Sequence, residues 1–195
     1  MLLKNRKFLE IVFDLFDMLS FLVFVWWIVL FVRFFIANPY TVVGASMAPT
    51  FEENDFIIVD KITPRLWELQ RGDVIVFIPP EKTVPYIKRV IWLPGETIKI
   101  RNNKVSICSI KDNNEDCFQL EQPYLPETVW TDTRCWLNEF KVLNGYFVMW
   151  DNRSFSTDSR CCFWLDCYNG ASYEVPLDHV IWKVYLRFLP HFSFF

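Results

Sequence analysis

The chain has 195 residues, of which 52% are apolar and 22% are charged, and its formal net charge is −3. This composition excludes an intrinsically disordered chain, since disorder requires low hydrophobicity and a high net charge. The acidic balance argues against a nucleic-acid-binding protein, which would carry a basic stripe, and 2 histidines are too few for a multi-histidine metal site.

The first predicted element is a membrane-spanning helix at Met18–Ala37. This segment is uncharged apart from Arg33, and as a helix it would cover about 30 Å, the thickness of the hydrocarbon core. Because Lys4, Arg6 and Lys7 precede the span, the positive-inside rule places the N-terminus in the cytoplasm and the rest of the chain outside. A cleaved signal peptide and a buried core helix are the alternatives, and the poor cleavage pattern at the end of the span favours an anchor.

After the span the sequence changes to short runs rich in Ile, Val and Phe, separated by Pro, Gly and Asn, a pattern typical of β-strands. The clearest predicted strands are Phe56–Asp60, Val74–Ile78, Tyr86–Trp92 and Thr97–Ile100. We therefore expect residues 1–37 to form a cytoplasmic N-terminus with a membrane anchor. Residues 38–195 are expected to form a mostly β domain outside the cytoplasm.

All 6 cysteines follow the predicted span. An even number of cysteines in an exported domain indicates disulfides, and because no CxxC spacing occurs a zinc site is not expected. Cys108 and Cys117 flank the polar stretch SIKDNNED, which is typical of a hairpin tip, so they are the first choice for a pair. The cysteines whose pairing the sequence leaves open are Cys135, Cys161, Cys162 and Cys167. Free buried thiols among them are the alternative.

Four separated segments carry the residues that suggest chemistry. In chain order they are GASMAPT (44–50), RGDVIVF (71–77), YIKRVIWLPGE (86–96) and DNRSFSTDSR (151–160). Behind a single N-terminal span, this order resembles the type I signal peptidases, which are membrane-anchored serine proteases that remove export signals. The resemblance runs from Asn38 to about Arg187. It implies a mostly β, signal-peptidase-like catalytic domain with a smaller β-ribbon lobe at about residues 99–143, preceded by one N-terminal transmembrane helix.

The resemblance implies that Ser46 is the nucleophile and Lys88 its general base. A serine hydroxyl needs a neighbour that accepts its proton, and a lysine can do so only when it is neutral, whereas its usual pKa is about 10.4. Burial lowers a lysine pKa, so such a site must be dry. On a strand, Lys88 shares its face with Tyr86, while Arg89 points to the other face, where it cannot crowd the base. A solvated strand lysine and an ordinary turn serine are the alternatives.

The same resemblance assigns the substrate side of the site. The backbone N–H of Ser46 would stabilise the oxyanion. Gly44 stands where some family members carry a serine, so no hydroxyl donor is expected there, and the glycine would let the backbone approach the substrate closely. Met47 would line small pockets for residues such as alanine at the first and third positions before the cut. An extended substrate would add to an open strand edge.

A supporting loop is also implied by the resemblance. Ser156 would hydrogen-bond and orient the lysine head, and Asp158 and Arg160 would pair and brace the loop. Asp151 would meet Arg89. Buried pairs of this kind hold a site in position more than they stabilise a fold. A solvated loop is the alternative.

Tryptophan stands at three places where the family usually has glycine, namely Trp92, Trp150 and Trp182. The chain has 9 tryptophans and only 5 glycines. Either the source genome reads UGA as glycine and the conceptual translation assigned tryptophan, or the tryptophans are genuine and the site is remodelled or inactive. UGG codons at these positions would refute the first explanation.

The sequence therefore predicts a membrane-bound serine endopeptidase that cleaves signal peptides from exported precursors at the cell membrane. Its partners would be these peptides and the lipid bilayer, not nucleic acid, and it would need neither metal nor cofactor. Three alternatives stay open: a relative dedicated to one substrate, a relative of the self-cleaving repressor-type proteases, which lack a span, and a non-catalytic β module that binds export signals or assembly partners. Genuine tryptophans at the three positions would favour the last.

Overall fold

The computed structural model describes residues 2–80, 82–111, 114–129, 131, 137–153, 158–164, 167 and 170–195. The chain forms two compact units, Met1–Asn38 and Pro39–Phe195. The helical part ends at Ile36, two residues before Asn38-Pro39, a pair at which the sequence predicts the end of a helix.

The first unit is one long apolar helix. Helix α1 (Leu2–Phe31) continues into a π-helical turn at Val32–Ile36. The stretch Glu10–Ile36 has 27 residues, and a window of 18 residues within it has a mean hydropathy of 2.5 and no buried residue, so it is long and apolar enough to cross a membrane. The predicted apolar helix is confirmed, although the helix begins well before Met18.

The second unit is built mainly from β-strands, which confirms the predicted fold class. The strands are β1 (Ala37–Thr41), β2 (Phe56–Asp60), β3 (Val74–Phe77), β4 (Tyr86–Trp92), β5 (Thr97–Arg101), β6 (Lys104–Lys111), β7 (Asn114–Gln119), β8 (Glu139–Lys141), β9 (Phe147–Met149), β10 (Val180–Leu189) and β11 (Ser193–Phe194). The short helix α2 (Thr63–Leu66) and 3-10 turns at Ser159–Trp164 and Leu177–His179 complete the described elements. The four predicted strands are found, each within one residue of its predicted bounds.

The larger sheet carries the candidate site. Its strand order is β1-β2-β10-β3-β4-β9, with β11 paired to β10. Strand β3 is buried along its whole length because both faces of the sheet are covered. Val74 and Val76 pack in one apolar cluster, whereas Ile75 and Phe77 pack in another. A strand covered on both faces reads as a continuous apolar run, which is why VIVF shows no alternation.

The smaller sheet has the order β7-β6-β5-β8 and lies between Thr97 and Lys141, where the sequence put the second lobe at about 99–143. Cys108 and Cys117 face each other across β6 and β7 and form the predicted disulfide. A second disulfide joins Cys162 and Cys167, and Cys161 is also disulfide-bonded. Cys135 lies outside the described residues.

Removing the hairpin disulfide with the double substitution Cys108→Ser and Cys117→Ser should lower the free energy of unfolding by about 2–3 kcal/mol, because the bond closes a loop of about ten residues in the unfolded chain. Urea unfolding followed by circular dichroism measures the change. The matched control is Cys162→Ser with Cys167→Ser, which opens a shorter loop and should cost less. A larger loss in the control pair would contradict the loop-length argument.

Candidate active site

Ser46 lies half-buried in the turn of residues 44–50, which follows β1. Gly44 begins this turn with a φ of +86°, in the left-handed region that favours glycine. No atom lies within 4 Å of the point where a Cβ would stand, so the backbone angle and not crowding requires glycine at this position. The turn therefore depends on Gly44 for its shape.

Met47 holds the turn against the protein core. It is fully buried and belongs to the apolar cluster that includes Val74 and Val76, and its carbonyl accepts a hydrogen bond from the Phe51 N–H at 2.9 Å. This contact fixes the residue next to Ser46. A fully buried side chain does not line an open pocket, so a contact between Met47 and substrate would need a local opening and stays a prediction.

Asn152 ties the same turn to the segment that follows β9. Its backbone N–H donates to the Ser46 carbonyl at 3.1 Å, and its side-chain amide donates to the Ala45 carbonyl at 3.0 Å. Asn152 was not predicted as a site residue, although it is the second residue of the DNRSFSTDSR segment. Its position beside Asp151 was the available signal.

Arg89 and Asp151 form the expected ion pair, and Thr50 completes it. The Arg89 Nη2 lies 2.6 Å from the Asp151 Oδ2, and the two side chains are 7% and 0% exposed. The Thr50 hydroxyl donates to Asp151 at 2.5 Å and accepts from Arg89 at 3.2 Å. The Tyr124 ring lies 3.9 Å from the guanidinium carbon. This network joins β4, the Ser46 turn and the segment after β9, and its charge-assisted bonds have a defined geometry.

Lys88 is buried on the adjacent position of β4, with 1% of its surface exposed. Its amine donates a hydrogen bond to the Ile87 carbonyl at 3.0 Å. Three aromatic rings surround the amine, with centroid distances of 3.7 Å for Trp150, 4.6 Å for Tyr86 and 5.9 Å for Phe77. The expected shared face of Tyr86 and Lys88 is present.

This burial lowers the pKa of the Lys88 amine well below its usual value, and the Asp158 carboxylate opposes the effect by favouring the ammonium. Loss of hydration is the larger cause, because the aromatic rings replace water without offering strong hydrogen-bond acceptors. The site therefore moves Lys88 toward the neutral form that a general base requires.

The Ser46 hydroxyl and the Lys88 amine do not share a hydrogen bond in the described part of the chain. The neighbouring Arg89 bonds Thr50 of the Ser46 turn, so the two segments are held together one residue away from the amine. The structure thus contains a buried Lys88 and a Ser46 turn bonded to the neighbouring Arg89, while the Lys88 amine donates its hydrogen bond to the Ile87 carbonyl.

Asp158 and Arg160 form the second expected ion pair. Their side chains are 0% and 4% exposed, and the Arg160 Nε lies 2.9 Å from the Asp158 Oδ1. Asp158 also accepts a hydrogen bond from the Trp150 backbone N–H at 3.2 Å, and Arg160 donates to the Arg153 carbonyl at 3.1 Å. Ser156 lies outside the described residues, so its contact with Lys88 stays a prediction.

The three tryptophans at family glycine positions differ in how well they fit. Trp92 is fully buried, and the buried indole N–H groups of Trp92 and Trp150 have no hydrogen-bond partner. A buried, unpaired donor costs about 1–3 kcal/mol. Trp182 is half-buried, stacks on Tyr40 at 4.8 Å and lies under the Lys61 ammonium at 5.8 Å. The indoles at positions 92 and 150 therefore each leave a buried donor unpaired, whereas Trp182 contacts two polar or aromatic neighbours, and the coding triplets decide whether each tryptophan is genuine.

Among the described residues, one grouping of metal-ligand types occurs, comprising Cys108, Glu115 and Cys117. Both cysteines form the hairpin disulfide, so neither provides a thiolate ligand for a metal.

The family model described as signal peptidase, peptidase S26, matches residues 15–188. The chain is 34% identical over 163 residues to Signal peptidase I U of Bacillus subtilis (strain 168), with 80% of each chain covered. It is 36% identical over 138 residues to Signal peptidase I of Bacillus licheniformis, covering 67% of this chain and 70% of that protein.

A crystal structure of a signal peptidase I from Enterococcus faecalis matches with a TM-score of 0.39 and 26% identity, over 58% of this chain and 93% of that chain. The family match and the curated relatives agree with the resemblance drawn from the four sequence segments, and they confirm the predicted enzyme class, a serine peptidase. This chain therefore belongs to the signal peptidase family, peptidase S26.

Proposed function

We propose that this chain is a membrane-anchored serine endopeptidase that removes N-terminal signal peptides from exported precursors through a dyad of Ser46 and Lys88. The relatives carry the name signal peptidase I, which supports this substrate class. The observation that carries the dyad is the state of Lys88, which is 1% exposed and whose pKa burial lowers well below its usual value.

In the first half of the reaction the Ser46 oxygen attacks the scissile carbonyl carbon while the neutral Lys88 amine accepts the hydroxyl proton. The C–N bond then breaks, and the Lys88 ammonium gives that proton to the departing amine of the mature protein. In the second half Lys88 accepts a proton from water, whose oxygen attacks the acyl ester. The ester bond breaks, the proton returns to the Ser46 oxygen, and the signal peptide leaves with a carboxyl group.

The Ser46 backbone N–H is suited to stabilise the negative charge that develops on the scissile carbonyl oxygen. Within the described ranges it donates to no protein acceptor, so it is available to the substrate. Gly44 contributes no side-chain donor, and we expect the backbone amide to serve alone. The extended substrate would lie along β4, which pairs with β9 only from Arg89 onward.

The helical stretch Glu10–Ile36 supports the membrane anchor, because 27 residues cover about 40 Å at about 1.5 Å per residue. The basic residues Lys4, Arg6 and Lys7 support a cytoplasmic N-terminus. Disulfides such as Cys108–Cys117 are typical of oxidising compartments, which supports a catalytic domain outside the cytoplasm. We infer a single-pass protein of the cell membrane.

A catalytically impaired relative that binds signal peptides is the second candidate. The observation that favours it is the Trp150 indole, which lies 3.7 Å from the Lys88 amine. Both candidates bind the same peptides, so cleavage separates them.

Removing either member of the dyad, by Ser46→Ala or Lys88→Ala, should lower the cleavage rate by more than about 1,000-fold, because the nucleophile and its base act as a unit. Lys88→Arg should be equally inactive, since a guanidinium stays charged. Cleavage of a model precursor by the purified full chain in detergent micelles measures the rates. Lys99→Ala, on the smaller sheet, is the matched control and should keep its activity. A wild-type chain no faster than the Ser46 or Lys88 variants would favour the binding candidate.

Lys88→Met should stabilise the fold at neutral pH. Above its lowered pKa, Lys88 is neutral in the folded chain, whereas the unfolded chain keeps the proton up to about pH 10.4. The unfolded state therefore binds more protons, and wild-type stability rises across this window by about 1.4 kcal/mol per pH unit. The advantage of Lys88→Met should shrink toward pH 10.4 in urea unfolding series. A difference that stays constant with pH would show that Lys88 keeps its proton in the fold.

Asp151→Asn should loosen the Ser46 turn, because it leaves the buried Arg89 guanidinium without its carboxylate. Breaking a buried pair from one side costs about 3–5 kcal/mol of stability. We expect kcat to fall by about tenfold or more even where the variant is folded, since misplaced reacting groups lower the rate. Melting curves and kcat below the transition measure both effects, with Asp116→Asn, an exposed position, as the control. A folded variant with wild-type kcat would refute the positioning role.

A further inference from the structure

The Lys88 amine shares no described hydrogen bond with Ser46 and makes two close contacts elsewhere. It donates to the Ile87 carbonyl at 3.0 Å, and the centroid of the Trp150 indole lies 3.7 Å from it, closer than the Tyr86 ring at 4.6 Å. The N–H groups of a neutral amine donate weakly to an aromatic face, and the indole also fills space into which the amine would otherwise move. The indole therefore favours this position of the amine.

Strand register explains why residue 150 meets Lys88. Strands β4 and β9 are antiparallel, with Arg89 opposite Met149. One step back along β4 is position 88, and one step past the end of β9 is position 150, so the same register places the two residues side by side, and neighbours of this kind point to the same face. Any side chain at position 150 therefore competes with the lysine for space on that face, and glycine would leave the space empty.

The Trp150 backbone is firmly held, whereas its side chain is poorly satisfied. Its N–H donates to Asp158 at 3.2 Å, and its carbonyl accepts from the Arg153 Nε at 2.6 Å. The indole N–H, in contrast, is buried without a partner. Because the backbone contacts do not depend on the side chain, a smaller residue can occupy the same position.

We propose that Trp150 is a positioning residue that restrains the general base: its indole keeps the Lys88 amine at the Ile87 carbonyl, and a residue without a side chain at position 150 releases the amine to Ser46. This inference rests on the proposed Ser46–Lys88 dyad. It also gives the unusual residue at position 150 a direct effect on rate. A chain with glycine at position 150 is also the product expected if the source genome reads UGA as glycine.

The test compares full-length chains in detergent micelles on a model precursor with alanine one and three residues before the cut. Trp150→Gly should raise kcat by about threefold and leave KM nearly unchanged, because the indole acts on the base and not on substrate binding, while the Tyr86 and Phe77 rings still keep water from the amine. Trp150→Ala should give a smaller gain of the same kind. Trp150→Phe, which keeps an aromatic face over the amine, should retain the wild-type rate.

Trp67→Gly is the matched control, since this indole is 61% exposed, and it should leave both constants unchanged. Melting curves verify that each variant is folded, and Trp150→Ala replaces Trp150→Gly if the glycine chain does not fold. Wild-type kcat in the small-residue variants, or a Trp150→Phe chain as fast as the glycine chain, would overturn the restraint.

Adding Lys88→Ala to Trp150→Gly separates this inference from the dyad itself. If the restraint acts through Lys88, the double variant should lose the higher kcat of Trp150→Gly and should not cleave the precursor. If Lys88→Ala leaves cleavage intact in either background, the dyad is wrong. If the dyad variants are inactive and Trp150→Gly is no faster than the wild type, the dyad stands and the restraint is wrong.

Discussion

The candidate site depends on the burial of one amine beneath the larger sheet. Lys88 is 1% exposed, and the residue paired with it on β3 is the buried Ile75. Three aromatic rings occupy the space around the amine that water would otherwise fill. Burying an ammonium is costly, so this environment favours the neutral amine. The Asp158 carboxylate lessens the effect without reversing it. The proposed chemistry follows from this balance, because a lysine that keeps its proton cannot accept another.

A single strand organises both halves of the site. Alternation along β4 directs Lys88 to the aromatic face and Arg89 to the opposite face, where it pairs with Asp151 and reaches Thr50 in the Ser46 turn. The charged network that holds the Ser46 turn is thus on the opposite face of β4 from the Lys88 amine. Had Arg89 shared the face of Lys88, its positive charge would have lowered the lysine pKa further but left a second cation in the dry space.

Local signals predicted the strands well, and the site only in part. The bounds of β4 follow from a run of Ile, Val and aromatic residues, and the hairpin disulfide follows from two cysteines around a polar turn. The Arg89–Asp151 pair was expected only through the family resemblance, because 62 residues separate its members. Thr50 and Asn152 were missed, since their partners lie on distant segments. The contact between Trp150 and Lys88 depends on the register of β4 and β9. The strands of the second sheet separate β4 from β9 along the chain, so no local sequence pattern predicts this register.

The titration of the Lys88 amine tests the account most directly. Nuclear magnetic resonance of the full chain labelled in its lysine side chains would follow this amine, assigned by the signal missing from Lys88→Ala. The account predicts a midpoint well below the usual value of about 10.4. A Lys88 midpoint at or above that value would mean that the buried amine stays charged, and the proposed base would then be unable to activate Ser46.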